Sequence, residues 1–367
     1  MHAEERHQEI LHRLRERGSI RVTDVAAELN VSPITVRRDV EALAERGLVT
    51  RVHGGAVLPE HRADGPHGPS GPVQQAPAVT AAPGRGGREV VFGLIVPAAD
   101  YYYPEVIKGA REAAAERGVR LVLGISQYDP EEERAQAQRM LADGIDGLLI
   151  TPCGPAGARA WPAGLGVPYV LVERRPDDDA WGAERVVTDH AYGARIAVRH
   201  LAEGDRERIG LLLREDSPHG ALVLEGYRAG LAAVGLREAD SALFRLPPPG
   251  GDAAEREGVL GAFTDAVAAG KLDAAIVHND HDAIVVLQRL RARGVEVPGA
   301  VALVAYDDEV AALADIPLTA IAPPKHAVGA AAVDLLARRL ADPGRPLHRL
   351  AILPELHVRE SSSESGS

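Results

Sequence analysis

Three stretches of this 367-residue chain carry side chains whose types and spacing suit chemistry. One is His278-Asn279-Asp280-His281-Asp282. Two imidazoles and two carboxylates this close together suggest a metal, but no third histidine stands at ligand spacing, so no metal site is expected. A carboxylate here can instead accept from the hydroxyls of a bound molecule, and Asp280 is the candidate; the competing role is a helix N-cap. Far upstream, Tyr101-Tyr102-Tyr103 offers three rings that can stack on a sugar or base face, or simply pack between helix and sheet. The third stretch runs from Asn30 to Leu43. Ser32 can cap a helix and Pro33 suits its first turn. Val36, Val40 and Leu43 recur at helical spacing, which leaves Thr35, Arg37 and Arg38 on other faces. Hydroxyls at a helix start and two adjacent arginines fit phosphates or guanine edges in a DNA groove. Taken alone, a solvated surface helix fits equally well.

The composition bounds these readings. It is that of a globular protein, 46% hydrophobic and 26% charged, and long enough for two or three domains. A net charge of −12 argues against non-specific coating of nucleic acid. The acid is uneven, however: residues 1–58 hold nine arginines against nine acidic residues. Cys153 is the only cysteine, which rules out an intramolecular disulfide and a cysteine-based zinc site. The N-terminus is charged and lacks the apolar core of a signal peptide, and no apolar run reaches the ~18 residues of a membrane span. A cytoplasmic protein without a membrane role is expected. No nucleophile elbow, His-Glu-x-x-His or phosphate loop occurs, so no enzyme and no cofactor are expected.

The elements that must position the arginines come first in the chain. A helix over 4–17 ends at Gly18, and Thr23 caps a second helix. A tight connection at Asn30-Val31 leads into the Ser32 helix, a helix-turn-helix pattern. Residues 48–57 then read as two short strands around a turn, with Arg51 and His53 on the same face. The run Val31-Ser32, Thr35-Val36-Arg37-Arg38-Asp39-Val40, Leu43, Gly47-Leu48 and Arg51-Val52-His53-Gly54-Gly55-Ala56 resembles the winged helix-turn-helix of the DeoR repressor family. That resemblance makes Ser32, Thr35, Arg37, Arg38, Arg51 and His53 the expected DNA-facing residues, with double-stranded operator DNA as partner. Asp39 is expected to be structural.

Residues 59–88, punctuated by Gly-Pro pairs and without apolar periodicity, read as a flexible linker. From Val90 onward, apolar runs alternate with helical patterns. Strands are expected at 90–96, 120–125, 147–151, 169–172, 186–188, 209–213, 274–277 and 301–305. Helices are expected at 104–117, 131–142, 191–202 and 222–234, and from residue 282. This predicts an α/β protein with parallel sheets in two lobes, and ligands at the carboxyl ends of the strands. Asp100-Tyr101-Tyr102-Tyr103-Pro104, Asp143-Gly144-Ile145-Asp146-Gly147, Glu173-Arg174-Arg175-Pro176, Thr188-Asp189-His190, Glu225-Gly226-Tyr227, Asn279-Asp280 and Tyr306-Asp307-Asp308 follow one another as in the effector-binding domain of LacI/GalR repressors. Those domains are related to periplasmic sugar-binding proteins, and the resemblance covers about residues 90–359.

That resemblance implies two Rossmann-like lobes of periplasmic-binding-protein type joined by three crossovers. It places Tyr102, Tyr103, Asp189 and Asp280 in the cleft, with Glu173 and Arg174 nearby. One departure stands out. The arginine that clamps the ligand in many members is replaced by Val223, so Arg214 or His219 must substitute if a clamp is kept. The expected organisation is a winged helix-turn-helix at 1–58, a linker at 59–88, an effector domain at 89–360 and a disordered tail at 361–367. The expected function is a ligand-responsive transcription regulator, a repressor by family habit. It would act as a homodimer with a small polar effector such as a sugar or nucleoside. The rival is a solute-binding receptor without a DNA role.

Overall fold

The computed structural model describes isolated positions between residues 6 and 57, then residues 88–153, 164–174, 182–237 and 242–363. The chain divides into two compact units, Met1–Thr80 and Ala81–Ser367. In the first, strands β1 (Ser19–Arg21), β2 (Thr50–Val52) and β3 (Gly55–Val57) form an antiparallel sheet in the order β1-β3-β2. The β2–β3 pairing, with Arg51 opposite Ala56, is the expected wing hairpin. Ile10, Val25, Val36, Val40 and Leu43 are helical and gather with Ile20 and Val49 into one buried cluster. The Val36–Val40–Leu43 stripe is thus the inward face of its helix, because a stripe at this spacing can be buried only on one side. Ser32, Thr35, Arg37, Arg38 and His53, the side chain of Arg51 and nearly all of the linker lie outside the described residues.

The second unit holds two six-stranded sheets. The N-lobe is built from β4 (Val91–Val96), α1 (Tyr103–Glu116), β5 (Arg120–Ile125), α2 (Pro130–Ala142), β6 (Gly147–Ile150), β7 (Tyr169–Val172) and β8 (Glu184–Thr188). The chain then crosses into the C-lobe. There it forms α3 (His190–Glu203), β9 (Ile209–Arg214), α4 (Gly220–Ala233), β10 (Leu243–Leu246), α5 (Ala253–Ala268), β11 (Ala274–His278), α6 (Asp280–Ala292), β12 (Ala302–Tyr306) and β13 (Thr319–Ala322). It returns for α7 (Lys325–Ala341) and β14 (Arg349–Ile352), then crosses again to β15 (Glu355–His357). The strand orders are β14-β8-β7-β6-β4-β5 and β10-β9-β11-β12-β13-β15. Every pairing in the two sheets is parallel except that of β13 with β15. The chain therefore crosses between lobes three times, as the resemblance implied.

Local chemistry explains the elements. All six residues of β4 and all five of β11 are buried, as expected of strands covered by helices on both faces. Asp129 caps α2 by accepting from the Glu131 N–H at 2.8 Å, with Pro130 in the first turn. Asp252 caps α5 in the same way. Helices α3 and α4 touch so closely that a Cβ on Gly226 would sit 2.0 Å from the Ala191 carbonyl oxygen, which is why only glycine fits there.

Two expectations need correction. The sequence reading passed over β10, α5, β13, α7, β14 and β15. Leu260, Phe263 and Val267 of α5 are nonetheless buried at helical spacing. The expected tail at 361–367 is ordered at its start: Ser361 is fully buried. Its hydroxyl donates to the Leu303 carbonyl at 2.6 Å and accepts from the Thr319 N–H at 2.8 Å. These bonds hold it against β12 and β13, while residues 364–367 lie outside the described residues.

Candidate ligand-binding cleft

The carboxyl ends of both sheets meet across a cleft, and Glu173 is the centre of its N-lobe side. It follows β7 with a left-handed backbone (φ 59°). Its Oε1 accepts from the Tyr102 hydroxyl at 2.9 Å and the Thr188 hydroxyl at 2.7 Å. Its Oε2 accepts from the Thr188 N–H at 3.2 Å and lies 3.7 Å from His190 Nε2. Burial pushes the Glu173 carboxyl up, but the His190 ring and the Thr188 donors outweigh it and leave it below the ordinary carboxylate range. The Nδ1 of His190 is 2.8 Å from the Tyr306 hydroxyl, and its ring stacks on His219 with centroids 3.9 Å apart. Glu173, Arg174, Thr188, Asp189, His190 and His219 all line one cavity of about 380 Å³.

On the opposite side, the Tyr101 hydroxyl donates to Asp307 Oδ2 at 3.1 Å, and its ring lies 4.8 Å from that of His281. Burial, and then the neighbouring Asp307 and Asp280 carboxylates, push the Tyr101 phenol well above its ordinary value. Left-handed non-glycine residues gather at these strand ends: Tyr101, Gln127, Tyr128, Glu173, Asp307 and Asp308. Strained backbone of this kind persists where surrounding structure holds it, and it clusters at ligand sites.

Asp280, expected to accept from a ligand, is already engaged by the backbone. It is fully buried, and its oxygens accept from the backbone N–H groups of Asp308 (3.3 Å), Glu309 (2.6 Å) and Val310 (2.9 Å). Its neighbour Asn279 keeps a buried Oδ1 that has no hydrogen-bond partner among the described residues. Tyr103 is likewise corrected: as the first residue of α1 it turns into the N-lobe core and is 5% exposed. Tyr101, which the sequence reading did not single out from its neighbours, faces the other lobe instead. Asp189 caps α3 by accepting from the Tyr192 N–H at 2.9 Å and also lines the cavity. Arg174 donates to the Pro152 carbonyl at 3.0 Å, and its Nε is buried without a partner among the described residues. Val223, in place of the clamp arginine, is fully buried in the C-lobe core. Of the two substitutes, Arg214 is engaged by Asp216 through two hydrogen bonds, whereas His219 reaches the cavity.

The comparisons with known proteins agree with this architecture. Residues 6–62 match the DeoR-like helix-turn-helix domain, and residues 198–362 match the periplasmic binding protein-like domain. The transcriptional regulator CelR of Thermobifida fusca is 31% identical over 268 residues, covering 72% of this chain and 76% of that protein. The arabinose metabolism transcriptional repressor of Geobacillus stearothermophilus is 24% identical over 352 residues, 93% of this chain and 90% of the relative. The ribose operon repressor of Escherichia coli is 28% identical over 275 residues, 73% and 81% respectively. A solved CelR–cellobiose complex superposes with a TM-score of 0.62 at 25% identity, over 90% of this chain and 91% of that one. Among the described residues, no helix is long and apolar enough to cross a membrane. The chain belongs to the LacI-type family of ligand-responsive, DNA-binding transcriptional regulators, with a DeoR-like helix-turn-helix at its N-terminus.

Proposed function

We propose that the cleft binds a small sugar or closely related polyol and that its occupancy controls repression by a homodimer at an operator. One observation carries the effector side. Thr151 Oγ1, Arg174 Nε, His190 Nε2, His278 Nδ1, Asn279 Oδ1 and Asp282 Oδ2 are buried without a hydrogen-bond partner among the described residues. All of them stand at or just beyond the carboxyl ends of β6, β7, β8 and β11. Each such group costs about 1–3 kcal/mol if left unmet, so a fold that keeps several in one place is built to have them met by something else. A polyhydroxylated molecule supplies donors and acceptors in alternation, and its apolar faces suit Tyr102. The cellobiose held by CelR and the sugar named for the ribose repressor are of this class.

The DNA side rests on Ser32, Thr35, Arg37 and Arg38 at the start of the third helix, with Arg51 and His53 in the wing. The linker at 59–88 joins this head to the effector domain at 89–360. The test is footprinting of the full-length protein on the DNA upstream of its own gene, combined with a thermal-shift panel of pentoses, hexoses, disaccharides and nucleosides. A protected site that is released by one of the sugars is the expected outcome. Arg37→Ala/Arg38→Ala abolishes protection and leaves the thermal shift intact. Protection that survives this double substitution at physiological salt overturns the head assignment, and a shift only with nucleosides overturns the sugar assignment.

A further inference from the structure

The His190 and His219 rings stack beside Glu173 with centroids 3.9 Å apart. One donor atom from each of Glu173, His190 and His219 lies within 4.8 Å of the others. The three residues come from three separate elements: the end of β7, the first turn of α3 and the residue preceding α4. Two of them are prearranged. The Tyr306 hydroxyl, 2.8 Å from His190 Nδ1, fixes the ring so that Nε2 points inward, and that buried Nε2 has no hydrogen-bond partner among the described residues. Tyr102 and Thr188 occupy Glu173 Oε1, which turns Oε2 toward Nε2 at 3.7 Å. A histidine held through one nitrogen by a buried hydroxyl, with its other nitrogen facing a carboxylate oxygen, is the arrangement that metal-binding histidines use.

We propose that Glu173, His190 and His219 bind a divalent transition-metal ion of the zinc type, with one coordination position open to the cavity. Two imidazole nitrogens and one carboxylate oxygen favour Zn²⁺, Co²⁺ or Ni²⁺ over Mg²⁺ and Ca²⁺, which prefer oxygen alone. In a tetrahedral site with bonds of about 2.0–2.1 Å the donor atoms stand roughly 3.3 Å apart. The Glu173–His190 pair is close to that already, whereas the half-buried His219 ring, now stacked on His190, must swing out of the stack for its nitrogen to point at the same ion. Asp189 and Glu225 line the same cavity and add negative charge beside the ion. The open position accepts water or an oxygen of the effector. Effector and metal are then linked ligands, each raising the affinity of the other by the same factor. That linkage, unlike the metal site itself, rests on the cleft being the effector site.

The experiment uses untagged full-length protein, stripped with chelator and titrated with Zn²⁺ and with Co²⁺. One equivalent of Zn²⁺ per chain is expected, and Co²⁺ should give the intense visible absorption of a four-coordinate site. His219→Ala, at a half-buried position, should weaken Zn²⁺ at least 100-fold. Tyr306→Phe, which removes only the hydrogen bond to His190, should weaken it about 10–100-fold. His326→Ala, an exposed histidine paired with Glu112, should leave it unchanged. No stoichiometric uptake, or uptake equal in wild type and His219→Ala, overturns the metal site. Sugar binding by the stripped protein is measured in parallel. Sugar binding without metal uptake removes this inference and leaves the effector reading standing, whereas metal uptake without any sugar response does the reverse.

Discussion

The Tyr101 hydroxyl reaches across from the N-lobe to Asp307 of the C-lobe in a hydrogen bond of 3.1 Å, and both residues sit in left-handed backbone, with φ of 50° and 89°. The phenol comes from the loop after β4 and the carboxylate from the end of β12, so the bond exists only while the lobes are closed on each other. Tyr101→Phe keeps the ring beside His281 and removes the donor. A hydrogen bond to a charged group contributes about 1.5–3 kcal/mol, and part of that is lost to water when the cleft opens. The variant should bind the effector about tenfold more weakly, equivalent to roughly 1.4 kcal/mol, and should scatter as a larger particle without ligand. Equal affinity and equal size in both proteins would show that the bond does not hold the cleft.

Asp280 should behave as a structural acid. Burial pushes its carboxyl up to about 6 from 3.8, even though backbone N–H groups hold the charged form. With the folded value above the unfolded one, its contribution to stability grows as pH falls below about 6 and is lost as pH rises through that value. Between pH 7 and pH 5 the wild type should gain about 1 kcal/mol relative to Asp280→Asn, read by urea unfolding at each pH. Parallel curves refute the assignment. Asp280→Ala leaves the amides of Asp308, Glu309 and Val310, all partly buried, without their acceptor and should cost about 2 kcal/mol at either pH.

The C-terminal segment is held by charge. Arg359 donates to Asp308 at 2.6 and 2.9 Å, and His357 lies 2.6 Å from the same carboxylate. Burial pushes the Asp308 carboxyl up, but Arg359 and His357 outweigh it and leave it below the ordinary value of 3.8. A depressed acid stabilises the fold above its unfolded value and loses that contribution as pH falls through its folded one. Arg359→Met should therefore cost about 1–2 kcal/mol at pH 7. The difference from wild type should shrink steadily below pH 4, as followed by chemical unfolding at fixed salt. A gap that persists at pH 2 assigns the loss to packing rather than to the ion pair.

What was legible in the sequence follows physical lines. The buried strands announced themselves because a strand covered on both faces must be continuously apolar, as β4 and β11 are. The Val36–Val40–Leu43 stripe was legible because one buried helix face imposes one period. The choice among three consecutive tyrosines was not, since it turns on the backbone sign at Tyr101 and on where α1 begins. Asp280 misled because its partners, the amides at 308–310, lie far along the chain. The Glu173–His190–His219 cluster was invisible for the same reason: three elements bring it together and no spacing encodes it. Ser361 read as a tail residue because nothing local distinguishes a hydroxyl that water will satisfy from one that Leu303 and Thr319 will.

The triple crossing between lobes also governs how this protein emerges from the ribosome. The N-lobe begins at β4 but lacks its edge strand until residues 349–352 are made, and the C-lobe awaits β15 and the Ser361 hydroxyl. Neither lobe closes its sheet before almost the whole chain has been synthesised. The segment that matches the helix-turn-helix domain, residues 6–62, is synthesised long before either sheet can be completed. The sensor is therefore the part of the chain whose sheets are completed last.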